Sequence, residues 1–184
     1  LQTPLKKQFL AACDAYHQQL RGIATRQHQK QLVELARRAQ LCAQLESQLD
    51  AETAALLETT WQQHTLPAEW EKAIERRKQQ ALAAISQQIP LDIAANTQQR
   101  RELCIALEIL LDIDTPEEDR PQRRAMQLQK LQQGLGQSAA SNQHSTLEQL
   151  LVDWHCTGLA AATEHATLTA RFDAALLKAN TARR

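Results

Sequence analysis

The side chains through which this chain could hold a metal or run acid–base chemistry are six histidines, four cysteines and a few grouped carboxylates. Their spacing argues against both. His17, His28, His64, His144, His155 and His165 show no ligand spacing of the H-E-x-x-H kind. Cys13, Cys42, Cys104 and Cys156 stand far apart with no C-x-x-C pair, so they read as free thiols serving as small hydrophobes in a reducing cytosol. Glu117-Glu118-Asp119 resembles a cation site, but acidic residues in a first helical turn complement the helix dipole without one. Glu108 is the lone charge of an apolar helix, and its helical neighbours Cys104, Ile105, Leu111 and Asp112 are not basic. A buried carboxylate needs a partner, and Arg123 or Arg124 is the expected one. With no nucleophile or metal set beside it, the expectation is a protein that is not an enzyme and takes no cofactor and no metal.

Basic residues offer the other candidate chemistry. Lys6-Lys7, Arg37-Arg38, Arg76-Arg77-Lys78 and Arg123-Arg124 would bind phosphate, or an acidic partner, if neighbouring helices brought two sets to one face. The formal net charge is zero, so bulk charge supports neither nucleic acid nor membrane. Charge is blocked locally: residues 1–40 carry +5, and the stretch from there to Glu71 carries −6. Opposed blocks of this kind pair inside a helical bundle or face a partner.

The elements that must position these groups are helices. Gly and Pro are rare, β-branched runs are missing, and Ala, Leu, Gln, Glu and Arg dominate, all of them residues that lose little rotamer freedom in a helix. Aromatics make up 3%, so packing falls to Leu, Ile and Ala in close helix contacts. Apolar periodicity predicts one helix from Pro4 to about Leu49, ~60 Å or more in length, with a polar waist at 24–31 where it should project past its partners. Asp50 should cap a short helix carrying Leu56, Leu57 and Trp61, and Pro67 should open a helix to about Gln88. Pro90 stops that helix, and Asn96 with Gln99 reads as the capping arrangement of the next, which runs to about Ile113. Thr115-Pro116-Glu117-Glu118 predicts a further start, with Thr115 as the cap, for a helix stopped at Gly134 and Gly136. Ser145 with Glu148 should cap a helix closed by Gly158, and a last helix covers about Thr163 to Ala179 before a frayed basic end at Arg183-Arg184. No apolar run is long enough to span a membrane, and no signal peptide is evident.

A local pattern recurs. Leu5-x3-Phe9-x-Ala11-Ala12, Ile74-x3-Lys78-x-Gln80-Ala81-Leu82 and Leu168-x3-Phe172-x-Ala174-Ala175-Leu176 match one another. Two copies follow a second element, Leu56-Leu57 leading to Trp61 and Leu66, and Leu150-Leu151 leading to Trp154 and Leu159. Such self-similarity marks a duplicated supersecondary unit that buries its apolar face by stacking. The first copy has no preceding Trp element, so the chain is read as the end of a longer helical-repeat protein. The expected fold is all-α: an elongated array of about seven long antiparallel helices, with coiled-coil character. Its expected divisions are a long-helix bundle over 1–136, a polar loop over 137–144 and a terminal hairpin over 145–184. Trp61, Trp70 and Trp154 recur at helix ends and read as packing anchors with Phe9 and Phe172, in preference to stacking surfaces for bases.

Three stretches, Leu5 to Tyr16, Arg37 to Glu46 and Arg100 to Leu111, resemble a bacterial repeat family, the domain of unknown function three-four-nine. The likeness is to the carboxy-terminal part of its proteobacterial members. It implies an all-helical array with no established enzymatic activity and no catalytic residues to carry over. The family's Trp element is followed by a basic residue and Gly. Here Trp61 precedes Gln62-Gln63-His64, and Trp154 precedes His155-Cys156-Thr157-Gly158. The functional expectation is a cytoplasmic structural module mediating protein–protein contacts, self-association included. The alternative is a sequence-nonspecific RNA or DNA module, ribosome-associated, that uses Lys6, Lys7, Arg37, Arg38, Arg76, Arg77 and Lys78.

Overall fold

The computed structural model describes residues 4–61, 65–136 and 146–181. Among them are seven α-helices, one short 3-10 turn and no strand. The helices are α1 (Pro4–Gln48), α2 (Ala51–Thr60), α3 (Ala68–Ser86), α4 (Ile93–Leu110), α5 (Arg120–Gly136), α6 (Leu147–Cys156) and α7 (Ala162–Thr181). The all-α array expected from composition is the fold observed. The polar loop expected at 137–144, Ser145 as a cap, and the Arg183-Arg184 end lie outside the described residues.

Helix ends follow local chemistry. The Asp50 carboxylate accepts from the Thr53 amide at 2.7 Å and caps α2, as expected. Two caps differ from expectation. Asp92, not Asn96, caps α4, because its carboxylate is one turn closer to the end and accepts from the Ala95 amide at 2.9 Å. The Thr115 hydroxyl caps nothing; it donates to buried Glu108 at 2.6 Å, and the chain passes through the 3-10 turn Glu117–Asp119 before α5 begins. A third is shifted by one residue from the expected Ser145: Thr146 caps α6 through the Gln149 amide. Leu49, Gln88 and Asp112, just past α1, α3 and α4, turn the chain through left-handed backbone at φ 48, 56 and 52°, a conformation that ordinarily favours glycine there.

Two cores form. In the first, Leu35, Cys42 and Leu45 of α1 meet Leu57 of α2, Trp61, and Trp70, Ile74 and Ala81 of α3. In the second, Leu103, Cys104 and Leu107 of α4 meet Leu150 and Trp154 of α6 and Leu168, Phe172 and Ala175 of α7. α6 serves both, since Val152 enters the first core. The terminal hairpin is therefore not a body set apart from residues 1–136.

α1 is 45 residues long, about 68 Å at 1.5 Å per residue. Every residue over 14–27 is exposed, and packing starts at His28, whose ring meets the edge of Trp70 at 5.6 Å and whose Nε2 lies 3.3 Å from Glu148. The projecting part is thus longer than the predicted polar waist and includes an apolar stripe. Tyr16, Leu20 and Ile23 are 59%, 44% and 56% exposed. Amides over 14–27 have only the helix itself to protect them, so native-state hydrogen exchange should run at least about a hundredfold faster there than over 34–46. Equal protection along α1 would mean that something covers the arm.

Candidate functional site

The two cores are built on one plan, and its charged members are the residues most open to a functional reading. Arg38, Cys42 and Glu46 fall on one face of α1 at intervals of four, and Arg100, Cys104 and Glu108 repeat that spacing on α4. In each core the arginine lies against a tryptophan. The Arg38 guanidinium is 5.2 Å from the Trp61 ring centre, and that of Arg100 is 4.4 Å from Trp154. In each, the glutamate takes an arginine from the last helix. Arg77 Nε and Nη2 donate to Glu46 at 2.8 Å each, and Arg171 Nε and Nη2 donate to Glu108 at 2.5 and 2.9 Å. In each, the residue after that arginine covers the indole: Lys78 Nζ sits 4.7 Å over Trp61, and the Phe172 ring stacks on Trp154 at 4.0 Å. Ile74 and Ala81 on α3 correspond to Leu168 and Ala175 on α7, and all four are buried. Helices α1–α2–α3 and α4–α6–α7 are therefore two copies of one three-helix unit, with α5 inserted in the second.

The units meet at the turn after Trp154. Arg77 Nη1 donates to the His155 carbonyl at 2.7 Å, and Glu46 Oε2 accepts from the Leu159 amide at 3.0 Å. Arg100 Nε and Nη2 donate to the carbonyls of Gly158 and Thr157 at 2.7 and 2.9 Å, and the Ala161 amide donates to the Thr97 hydroxyl at 2.8 Å. A Cβ on Gly158 would stand 2.4 Å from Asn96 Nδ2, so a larger residue there would have to turn the Asn96 amide aside.

The units differ where their arginines end. Arg38 donates to Glu34 at 2.9 Å and Glu71 at 2.6 Å. In the second unit Asn96 and His165 occupy the corresponding positions, and Arg100 takes carbonyls instead. Burial, with Arg77 nearby, pulls the Arg100 guanidinium down to about 10. Burial raises the Glu34 carboxyl, but hydrogen bonds from Arg37 and Arg38 outweigh it and hold Glu34 below its ordinary value. Burial pushes the Cys42 and Cys104 thiols up to about 12 and Cys156 to about 11. Thiols so poorly ionised are packing groups, not nucleophiles.

These contacts revise several expectations. Glu108 pairs with Arg171, 63 residues away, and not with Arg123 or Arg124. Arg123 reaches Glu108 only through Thr115, to whose hydroxyl it donates at 2.8 Å, and Arg124 is exposed. Asp119, from the acidic triplet, is buried against Arg171, a contact that a sequence reading of the triplet as a plain first turn misses. Of the expected basic residues, Arg37, Arg38, Arg77 and Lys78 do not open onto a shared strip. Arg38, Arg77 and Lys78 are buried, and Arg37 is half-buried on Glu34 and the Trp61 carbonyl. Lys78 pairs with Glu75 at 2.9 Å and Glu58 at 3.5 Å. Arg76 alone of its triplet is exposed. Lys6 and Lys7 lie in the first turns of α1; their side chains and that of Phe9 are outside the description. Trp61, Trp70 and Trp154 are buried, so they anchor packing and offer no face to a base. The shared Arg-x3-Cys-x3-Glu spacing was the available signal for both clusters, and Arg171 was reachable as the counterpart of Arg77.

Among the described residues, no three His, Cys, Asp or Glu side chains group to hold a metal, and no helix is long and apolar enough to cross a membrane. The fold and its doubled cluster define an all-α helical-repeat protein. No family model matches the chain, and neither a curated protein nor a solved structure is similar to it.

Removing one member of the Arg77–Glu46 pair strands a buried charge together with the turn it holds. Arg77→Met and Glu46→Leu should each lower stability by about 3–5 kcal/mol, and Arg77→Met/Glu46→Leu should cost less than their sum, read by urea unfolding. Burial, then Arg77 and Arg100, pulls the His155 imidazole down to about 4. Between its ordinary value of about 6.5 and that value, the unfolded chain binds a proton that the folded chain refuses, so stability falls as pH drops through this window. The loss should reach up to about 3 kcal/mol at pH 4. His155→Gln should flatten that part of the fall, while carboxylate contributions stay common to both proteins.

Proposed function

We propose that this chain is a helical-repeat interaction module, a rigid two-unit body that presents a projecting helical arm to a protein partner. The observation that carries this reading is the placement of Tyr16, Leu20 and Ile23. These three large apolar side chains lie a turn apart on α1, exposed, on a stretch that nothing in the body touches. A solvated arm has no need of them, and a contiguous apolar stripe on an exposed helix is the pattern of helix docking. The resemblance to the domain of unknown function three-four-nine family supports the same reading, since that family's arrays carry no established activity. Membership of that family, bacterial origin and a cytoplasmic setting belong to this proposal.

The nucleic-acid alternative rested on Arg76-Arg77-Lys78 with the basic first helix, and two of those three cations are spent on internal carboxylates and an indole. Replacing Arg77 or Lys78 by Glu would unfold the first unit, so loss of RNA binding in such variants would report folding. The discriminating experiment places a photo-crosslinking amino acid at residue 16 or 23, with residues 33 and 177 as exposed apolar controls on the body. Discrete adducts, formed in cells making the full chain, are expected at 16 and 23 and not at the controls. Equal labelling at all four positions, or none at the arm, would overturn the interaction reading.

A further inference from the structure

The arm carries a third copy of the closing helix. Aligned on the recurrent pattern, Leu5, Phe9 and Ala12 take the positions of Ile74, Lys78 and Ala81 on α3 and of Leu168, Phe172 and Ala175 on α7. Extended by one turn, the same register sets Tyr16 opposite Ile85 and Ala179. Ile85 packs against the first core and Ala179 is 5% exposed, yet Tyr16 is 59% exposed. The position that both complete units cover is bare on the arm.

Those two units also show what covers it. In each, the closing helix lies against a helix of Arg-x3-Cys-x3-Glu type and a tryptophan helix whose indole rests on the residue at the Lys78/Phe172 position. Both such pairs within this chain are engaged, α1–α2 by α3 and α4–α6 by α7. We infer that the arm is the docking helix for a further helical pair of this same class, which brings its tryptophan in the register of Trp61 and Trp154 and covers Tyr16 at the position that Ile85 and Ala179 hold in the two units. This deepens the interaction reading by naming the chemistry of the partner. A symmetric pairing of two arms is disfavoured, because Lys6, Lys7, Arg21 and Arg26 against Asp14 leave each arm strongly basic.

The test titrates the full 184-residue chain into a fluorescein-labelled synthetic peptide of residues 31–66, which carries both the Arg-x3-Cys-x3-Glu and the tryptophan segments. Saturable anisotropy with a dissociation constant on the order of 10 μM is expected, as for a small helix-in-groove contact. Tyr16→Glu in the chain should weaken it at least tenfold while leaving circular dichroism and the melting temperature unchanged, because Tyr16 touches nothing in the body. Trp61→Ala in the peptide should do the same. Absence of binding would overturn the inference, as would binding that Tyr16→Glu leaves intact, since the peptide would then be exchanging with the chain's own α1 and α2. Equal binding of an unrelated acidic amphipathic peptide would also overturn it, as would a homodimer in light scattering that Tyr16→Glu dissociates. Position-specific cross-links at 16 and 23 without peptide binding would leave the interaction reading standing and remove only this partner.

Discussion

The Arg77–Glu46 pair is the constraint on which the rest of this structure depends. Glu46 comes from α1, Arg77 from α3, and each spends a remaining hydrogen-bonding position at the end of α6, Arg77 on the His155 carbonyl and Glu46 on the Leu159 amide just beyond it. One buried ion pair therefore closes the first three-helix unit and seats the second upon it. Such a pair returns little net stability, because desolvating two charges offsets most of their attraction. What it supplies is register. An apolar contact tolerates sliding by part of a turn, whereas a bidentate pair with an amide and a carbonyl in fixed places does not. The chain has few aromatics to act as steric keys, so the charged cluster takes that part.

The second unit shows how the plan tolerates change. It retains the glutamate–arginine pair, Glu108 with Arg171, and strengthens it with Asp119 and the Thr115 hydroxyl. It gives up the carboxylates that Arg38 enjoys. Arg100 is left with two carbonyls and the face of Trp154, which is enough because the guanidinium has several donors and a flat face that stacks. Lys78 and Phe172 exchange a cation for a ring over the same indole. Both solutions keep the tryptophan sandwiched, so the sandwich is the conserved physical requirement within this chain and the means of meeting it is not.

The sequence made the helices legible because their apolar periodicity is strong and their caps are short-range chemistry. Asp50 and the Pro67 start could be read in isolation. The caps that misled did so through tertiary competition: Thr115 has the composition of an N-cap, but a buried carboxylate seven residues away was the stronger claimant for its hydroxyl. Charges were the least legible part. Arg76-Arg77-Lys78 reads as a basic patch when counted along the chain, yet Trp70, Ile74, Arg77 and Ala81 fall on one stripe of α3, which places Arg77 inside. Glu108 could be recognised as needing a partner, but Arg171 is 63 residues distant and only the repeat register points to it. The inserted α5 lengthens the second unit and hides that register from a fixed-period search.

The joints between copies explain why only one of them leaves a helix bare. From α3 to α4 the closing helix of one unit and the arginine helix of the next are separated by left-handed Gln88 and by Pro90, which turn the chain back so that the second unit can fold onto the first. In α1 the same two elements run on as one helix. The spacing from the Leu5 position to Arg38 exceeds that from Ile74 to Arg100 by seven residues, close to two full turns. Two turns preserve the face, with a drift of only about 20°. At 100° per residue the Tyr16–Leu20–Ile23 stripe of the arm lies roughly 80° around α1 from the Leu35–Ala39–Cys42–Leu45 stripe that packs into the first core.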